Sequence, residues 1–248
     1  MSEEVFTKTV KSPRELATMP AEYREAVAKI VVSHAVNEIA GAEAFDEPAI
    51  RLAPTPYHKW LVCRIAMEEY GHHVRFARMA AQLGVDKARL DHRARHLSVF
   101  DLPLRTWPEF VVNKAIGDLG EVVMVEELAH CSYLPLRQLA VKTMPEEKFH
   151  AGFGRDQLKE LCGTPEGRAE AQRAIADLFP VMLQFFGSSD SRNNAIFRKW
   201  GIKRRTNDEM RADYVQRVKG LMEEFGLQLP EVGSLTVTVR GARHGDGA

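Results

Sequence analysis

Residues 67–76 read MEEYGHHVRF and place two glutamates and two histidines inside a long segment of helical periodicity. At 100° per residue, Glu69 falls in the middle of an apolar stripe that also contains Val62, Ile65 and Phe76. A charge buried in a protein core without a partner is strongly destabilising. Glu69 therefore needs a compensating group inside the fold.

Three other segments place a carboxylate in the same kind of position. Glu38, Asp118 and Glu147 each lie in the middle of the apolar stripe of their own segment. Four ionised carboxylates in one interior repel each other unless cations balance them. Two divalent metal ions supply the balancing charge, and two imidazoles complete an oxygen and nitrogen ligand set that suits iron or manganese.

The imidazoles come from two Glu-x-x-His pairs, in which residues three apart share one face of a helix. This is the ligand pattern of the dimetal site in ferritin-like bundles. Glu38 and Glu69 are 31 positions apart, and Asp118 and Glu147 are 29 apart, as expected for two similar helical hairpins. The predicted metal ligands are Glu38, Glu69, His72, Asp118, Glu147 and His150, with Glu38, Glu69 and Glu147 as the catalytic carboxylates.

Two further acidic positions on the third helix are weighed against this set. Glu121 lies one turn after Asp118 and is the alternative fourth carboxylate. The chain contains a third Glu-x-x-His pair, Glu127/His130, but Glu127 lies 180° from Asp118 on the helix. We therefore predict that this pair binds no metal.

The remaining polar residues near the predicted ligands receive structural interpretations. His34 and His73 are interpreted as histidines that support the ligands or pack in the core. Glu68 lies 100° from Glu69 and is interpreted as an ordinary surface acid.

Long 3.6-periodic segments separated by Pro and Gly predict an all-α protein. With the dimetal pattern, they indicate a ferritin-like four-helix bundle with additional C-terminal helices. We predict one domain over residues 1–230 and a partly flexible tail over 231–248, in which LTVTV alternates like a short strand, and SSDSRNN (188–194) as a polar loop. The predicted helices cover residues 21–45, 57–84, 107–133, 135–162, 167–187 and 207–226.

Composition excludes several classes of partner. The 34 basic and 34 acidic residues cancel, so no global field attracts nucleic acid or an anionic membrane. The chain has no apolar run long enough to span a bilayer and no secretory signal, and we expect a cytoplasmic protein. Its three cysteines show no CxxC spacing, which argues against a disulfide framework, a thiolate zinc site or an iron–sulfur cluster.

The chain also resembles a known family, the catalytic A subunits of phenylacetyl-CoA epoxidase, which are bacterial multicomponent di-iron monooxygenases. The resemblance covers roughly residues 19–230. When the family's metal ligands are carried over by position, they fall on the same six residues that the helical projection selects. The similar stretches are MPAEYREAVAKIVVSHAVNEIAG (19–41), RLAPT (51–55) before EEYGHH, SYLP (132–135) before EKFHAGFG, FPVMLQFFG (179–187) and IKRRTNDEMR (202–211).

This resemblance implies a centre of two Fe ions that activates O₂ and inserts one oxygen atom into the ring of an aromatic acyl-CoA. Because the chain has no flavin or iron–sulfur motif, the electrons must come from another protein. By resemblance, the partners are an NADPH-dependent flavin and iron–sulfur reductase and a non-catalytic ferritin-like subunit. Lys203, Arg204 and Arg205 are candidate ligands of the CoA phosphates. Candidate aromatic pocket residues are Phe110, Phe149, Phe153 and Phe185.

Three other functions remain open at this point. A ferritin-like protein that oxidises iron or scavenges peroxide would have the same ligands and no organic substrate. A paralogue of the epoxidase subunit would act on another acyl substrate. A scaffold subunit would lack metal, although the complete set of six ligands argues against that role.

Overall fold

Four long helical units form the frame of the protein. The structure, a computed structural model, describes residues 6–232, which form an all-α, ferritin-like helical bundle. Helix α2 (Ala21–Gly41) packs along α4 (Pro56–Gln82). The unit of α6 (Trp107–Val112) and α7 (Asp118–Leu128) packs along α8 (Leu134–Leu161), and α4 and α8 are also in contact. The helices are α1 (Pro13–Ala17), α2 (Ala21–Gly41), α3 (Glu47–Leu52), α4 (Pro56–Gln82), α5 (His92–Arg95), α6 (Trp107–Val112), α7 (Asp118–Leu128), α8 (Leu134–Leu161), α9 (Pro165–Met182), α10 (Arg192–Lys199) and α11 (Asn207–Phe225).

Local sequence explains where the long helices begin and end. The Thr55 hydroxyl accepts a hydrogen bond from the backbone N–H of His58, and a proline follows at the first helical position of α4. Thr106 and Glu109 form a reciprocal capping box at the start of α6. Gly226, with φ of 64°, terminates α11 in the left-handed conformation that glycine adopts without strain.

Two π-helical turns interrupt the helical frame beside the interior. They cover Ala42–Asp46 after α2 and Asn113–Gly117 between α6 and α7. Each turn closes with i→i+5 hydrogen bonds, and such turns occur frequently at functional sites. The predicted single helix over 107–133 is therefore wrong in detail, because it is divided at this turn and ends at Leu128. The two turns contain the buried residues Asp46 and Lys114.

The additional C-terminal helices predicted from the sequence are confirmed. Helix α9 packs on α6 and α8, and α11 packs on α7. Their apolar faces, including Ile175, Phe179, Tyr214 and Val218, join the largest cluster of buried side chains. Among residues 6–232, no helix combines the length and the apolar character that a membrane crossing requires.

One sequence prediction on the C-terminal side is wrong, and another lies outside the described residues. The predicted polar loop over 188–194 gives way at Arg192 to α10, where the Ser191 hydroxyl accepts a hydrogen bond from the backbone N–H of Asn194. The predicted LTVTV strand and all but two residues of the predicted tail lie outside residues 6–232. The single domain over 1–230 stays a prediction.

The close packing of α8 on the second π-helical turn leads to a prediction about the stability of two glycine variants. A Cβ atom on Gly154 would lie 2.3 Å from the backbone N of Ala115 and 2.3 Å from the carbonyl carbon of Lys114, whereas a Cβ on Gly152 meets nothing within 4 Å. Gly154→Ala should lower the free energy of unfolding by about 2 kcal/mol through overpacking. The matched Gly152→Ala should raise it by roughly 0.5 kcal/mol. Urea unfolding measures both, and equal midpoints for the two variants would contradict the packing described here.

Candidate metal centre

The structure brings the six predicted ligands into one interior. Glu38 comes from α2, Glu69 and His72 from α4, Asp118 from the start of α7, and Glu147 and His150 from α8. All six are buried, with relative exposures between 0% and 8%. We call these six residues the carboxylate–histidine cluster.

The ligand atoms of the cluster fall into two groups that share one residue. Glu38, Glu69, His72 and Glu147 form the first group, and Glu69, Asp118 and His150 form the second. Within each group, the potential ligand atoms lie within 4.8 Å of one another. Glu69 therefore stands between two adjacent positions, as a carboxylate that bridges two metals would.

Each histidine is oriented by a glutamate of the neighbouring helix. His72 Nε2 lies 2.8 Å from Glu146 Oε2, and His150 Nε2 lies 2.8 Å from Glu68 Oε2. An ionised carboxylate only accepts hydrogen bonds, so each Nε2 carries the proton and donates it. Each Nδ1 therefore points into the cluster, and the outer carboxylate fixes the ring in the way known for metal-ligating histidines.

The interpretation of Glu68 as an ordinary surface acid is wrong. Its side chain is only 12% exposed and accepts the hydrogen bond from His150, while Arg64 donates to its other oxygen at 2.9 Å. Sequence reasoning also missed Glu146. The available signal was the repeated Glu-Glu-x-x-His pattern, because 68–72 and 146–150 share it. In each pattern the second glutamate enters the cluster, and the first holds the histidine of the other helix.

The inward-facing atoms fit a metal because they lack other partners. Within residues 6–232, no hydrogen bond reaches Nδ1 of His72, Nδ1 of His150 or either carboxylate oxygen of Glu147. Yet His72 Nδ1 lies only 3.0 Å from Glu147 Oε1 and 3.4 Å from Glu38 Oε2. Neighbouring ligands on one metal, with bonds of about 2.1 Å at right angles, are roughly 3 Å apart. Buried lone pairs that face each other at this spacing require a cation or protons between them.

The protonation pattern shows how the cluster balances its charge without metal. Burial disfavours the charged form of His150, but Glu69 and Glu68 outweigh this effect and raise the pKa of its imidazole to about 10. The pKa of His72 is also raised, since burial is outweighed by Glu147, Glu38 and Glu69. Because these imidazoles hold a proton more strongly than usual, a metal ion that binds through Nδ1 would have to displace that proton.

A lysine that the sequence reasoning missed contacts two carboxylates of the second group. Lys114 is 3% exposed, and its Nζ lies 3.1 Å from Asp46 Oδ1, 3.2 Å from Glu69 Oε1 and 3.2 Å from Asp118 Oδ2. Lys114 precedes Asp118 by four residues, so a helical projection places both on one face. Despite burial, the ammonium of Lys114 holds the pKa of Glu69 well below its usual range.

The other acidic positions of the third helix occupy different environments. Glu121 belongs to neither group of ligand atoms among the described residues, and burial together with Glu38 and Glu147 raises the pKa of its carboxyl well above the usual range. Glu127 accepts hydrogen bonds from the backbone N–H groups of Arg204 and Arg205 at 2.7 and 3.0 Å. The third Glu-x-x-His pair thus lies apart from the cluster, with His130 exposed.

The two histidines interpreted as supporting residues, His34 on α2 and His73 on α4, each connect these two helices. His34 Nδ1 lies 3.9 Å from Glu38 Oε1, and its ring stacks on Phe76 with centroids 5.0 Å apart. His73 Nδ1 donates a hydrogen bond to the backbone carbonyl of Ala35 at 2.7 Å. Both agree with their interpretation as core or supporting residues.

The basic segment before α11 is not a row of three exposed cations. Arg204 is exposed, but Lys203 is only 5% exposed. Arg205 is ion-paired with Glu127 at 2.6 Å and with Asp213 at 2.7 Å. Binding of CoA phosphates by Lys203, Arg204 and Arg205 stays a prediction.

A cavity of about 450 Å³ lies beside the cluster, between α2, α7 and the segment around α10. Glu121, Phe185 and Asn37 line this cavity and also a small one of about 40 Å³ that reaches Glu38, Glu69 and Asp118. Of the four candidate aromatic pocket residues, Phe185 is the one that lines the larger cavity. Phe110 and Phe153 pack in a buried apolar cluster, and Phe149 lies beneath the Arg64 guanidinium.

The fold and the cluster together define the class of the protein, a ferritin-like helical bundle with buried carboxylate and imidazole groups that could hold metal. The chain belongs to the phenylacetic acid catabolic protein family, whose model matches residues 11–246. It is 30% identical over 221 residues to the A subunit of 1,2-phenylacetyl-CoA epoxidase from Escherichia coli (strain K12), an alignment that covers 86% of this chain and 71% of the relative. The family resemblance is thereby confirmed.

Proposed function

We propose that the protein is the catalytic subunit of a multicomponent di-iron monooxygenase that inserts one oxygen atom of O₂ into the ring of an aromatic acyl-CoA. The observation that supports this most is the pair of imidazoles whose Nδ1 atoms face unpartnered carboxylate oxygens in a buried interior. Family membership and the epoxidase named above support the substrate class. The proposed reaction is 1,2-epoxidation of a phenylacetyl-CoA-type ring.

The residues have distinct tasks in this proposal. Glu38, Glu69, His72, Asp118, Glu147 and His150 hold the two iron ions, with manganese as the other metal that such ligands suit. When bound, the di-iron centre supplies the reductive activation of O₂. Glu146 and Glu68 keep each imidazole in the tautomer whose Nδ1 is free to ligate.

The cavity of about 450 Å³ favours an organic substrate over simple iron oxidation. Its volume falls in the range typical of small-molecule sites, and its walls combine Phe185, Phe186 and Met124 with asparagine amides. Glu121 and Phe185 separate it from the cluster, since both side chains line the larger and the smaller cavity. A ring held beside Glu121 and Phe185 would lie next to the metal ligands.

The proposal also requires other proteins. One oxygen atom enters the ring and the other leaves as water, which consumes two electrons and two protons in each turnover. The chain contains no flavin or iron–sulfur motif. We propose an NADPH-dependent flavin and iron–sulfur reductase as the electron donor. The second proposed partner is a non-catalytic ferritin-like subunit.

The test is a single turnover with phenylacetyl-CoA. Protein loaded anaerobically with Fe²⁺ and reduced should, on exposure to O₂, yield a product with one added oxygen atom, detected by mass spectrometry. His150→Ala should lower the yield at least about a hundredfold because it removes a metal ligand. His130→Ala is the matched control, since it changes the exposed histidine of the third Glu-x-x-His pair, and should leave the yield unchanged.

Two results would contradict the proposal. Rapid Fe²⁺ oxidation with no change in bound phenylacetyl-CoA would favour the iron-oxidising alternative. Oxidation of a different acyl-CoA, with phenylacetyl-CoA left intact, would favour a paralogue with another substrate.

A further inference from the structure

Lys203 is a buried cation without an ion-pair partner among residues 6–232. Its side chain, between α10 and α11, has a relative exposure of 5%. The described contact of its Nζ is a hydrogen bond to the thioether sulfur of Met124 at 3.7 Å, and a thioether is a weak acceptor. Burial lowers the pKa of Lys203 to about 8, and the carboxylates of Glu127 and Glu121 offset this effect only in part.

Neither of the two nearby carboxylates forms an ion pair with Lys203 among residues 6–232, and Glu127 is already occupied by other donors. Glu127 accepts two backbone N–H groups through one oxygen and the Arg205 guanidinium through the other. The ammonium of Lys203 has three donors, so most of its hydrogen-bonding capacity is unused. A buried ammonium in this condition is costly for the fold.

The side chain lines the cavity of about 450 Å³ beside the cluster. Asp118, Glu121 and Met124 follow each other at intervals of three along α7, with Asp118 in the cluster, Glu121 in the cavity wall and Met124 in contact with the Lys203 ammonium. Asp118 and Met124 are separated by about 9 Å along the helix axis. The cavity of about 450 Å³, which Lys203 and Glu121 both line, has room for an aryl acyl group between the ammonium and the wall formed by Glu121.

The walls near Lys203 suit a neutral polar group. Asn37, Asn193, Asn194 and Asn207 contribute amides to the same cavity. One strong hydrogen-bond donor satisfies a thioester carbonyl. An ionised carboxylate has two oxygens that accept hydrogen bonds, and a single buried ammonium would leave some of these acceptor positions without a donor. The exposed Lys29 also lines the cavity, so the opening where the rest of a CoA ester would emerge is basic.

We infer that Lys203 is a substrate-binding residue that donates a hydrogen bond to the thioester carbonyl of the acyl-CoA and so orients the ring towards the cluster. This assignment rests on the proposed function, since it concerns the same substrate. Under this assignment, Lys203 contacts the acyl group of the substrate rather than the CoA phosphates. Because the buried ammonium has no ion-pair partner among residues 6–232, a polar ligand in the cavity would satisfy donors that the described part of the fold leaves unused.

Anaerobic isothermal titration tests the assignment on the iron-loaded chain without turnover. The probes are phenylacetyl-CoA, phenylacetate and free CoA. Lys203→Met should weaken binding of phenylacetyl-CoA about ten- to a hundredfold, as expected for loss of a charge-assisted hydrogen bond, and leave binding of free CoA unchanged. The control Lys219→Met, on the exposed side of α11, should bind all probes like wild type.

The outcomes separate this inference from the proposed function. Wild-type protein that fails to bind phenylacetyl-CoA would contradict the proposed substrate class itself. Equal binding of phenylacetyl-CoA by wild type and Lys203→Met would overturn the role of Lys203 and leave that class intact. A selective loss of phenylacetate binding would assign the cavity to a carboxylate instead.

Thermal unfolding provides a second, independent readout. Lys203→Met should melt at the same temperature as wild type or higher, because methionine removes an uncompensated buried charge and keeps the volume. A clear fall in melting temperature would mean that Lys203 supports the fold, which would overturn the inference.

Discussion

Glu69→Ala is expected to abolish metal binding, because Glu69 belongs to both groups of ligand atoms in the cluster. Wild-type protein reconstituted anaerobically with Fe²⁺ should contain about two iron ions per chain. The variant should contain none, since the first group loses the carboxylate that it shares with the second, and the second retains only Asp118 and His150. Elemental analysis after removal of loosely bound iron measures both values.

Two further variants make this result specific. Asp118→Ala should retain about one iron ion per chain, because the first group keeps all four of its members. Glu170→Ala changes an exposed glutamate on α9 and should retain both ions. Equal iron content in Glu69→Ala and wild type would contradict the ligand assignment, and equal content in Asp118→Ala and wild type would favour Glu121 as the fourth carboxylate.

The bundle and the burial of its candidate ligands can be predicted because they depend on helical periodicity alone. Glu38, Glu69, Asp118 and Glu147 each interrupt an apolar stripe, and the stripe must face the interior. The same projection separated Glu127 from Asp118. It did not show that Glu127 is buried, because its partners are backbone groups of Arg204 and Arg205, 77 and 78 residues further along the chain.

The surroundings of the ligands were harder to predict for two physical reasons. Glu68 points 100° away from the stripe, yet a glutamate is long enough to reach His150 on a neighbouring helix, and a projection of one helix contains no neighbour. The π-helical turn at Asn113–Gly117 changes the register of the helix by one residue, which a fixed 100° step does not reproduce.

The start of α10 shows a third reason why the structure differs from the sequence prediction. Residues 188–194 are polar and read as a loop, but Ser191 caps a short helix. That helix is held by Phe197, which is buried against the N-terminal half of the bundle. Its stability comes from tertiary packing rather than from the propensity of its own sequence.

Lys114→Met is expected to destabilise the metal-free protein strongly. In wild type the Lys114 ammonium lies 3.1–3.2 Å from carboxylate oxygens of Asp46, Glu69 and Asp118. Removing one partner of a buried ion pair typically costs about 3–5 kcal/mol, because the remaining charges stay buried without compensation. Thermal and urea unfolding in the presence of a chelator should therefore show a large loss, whereas Lys142→Met, which changes an exposed lysine on α8, should show almost none.

Metal should reverse this loss, and the size of the reversal tests the role of Lys114 as an internal cation. A divalent ion bound by Asp118 and Glu69 replaces the positive charge that methionine lacks, and it does not have to displace an ammonium. Mn²⁺ should therefore raise the melting temperature of Lys114→Met by more than it raises that of wild type. If the chelated variant is as stable as wild type, or if Mn²⁺ stabilises both proteins equally, Lys114 does not balance these carboxylates. If the variant is less stable without metal and its melting temperature rises more with Mn²⁺, the lysine and the second metal ion compete for the same carboxylates. The metal-free cluster is then stable because Lys114 supplies a cation from the same chain.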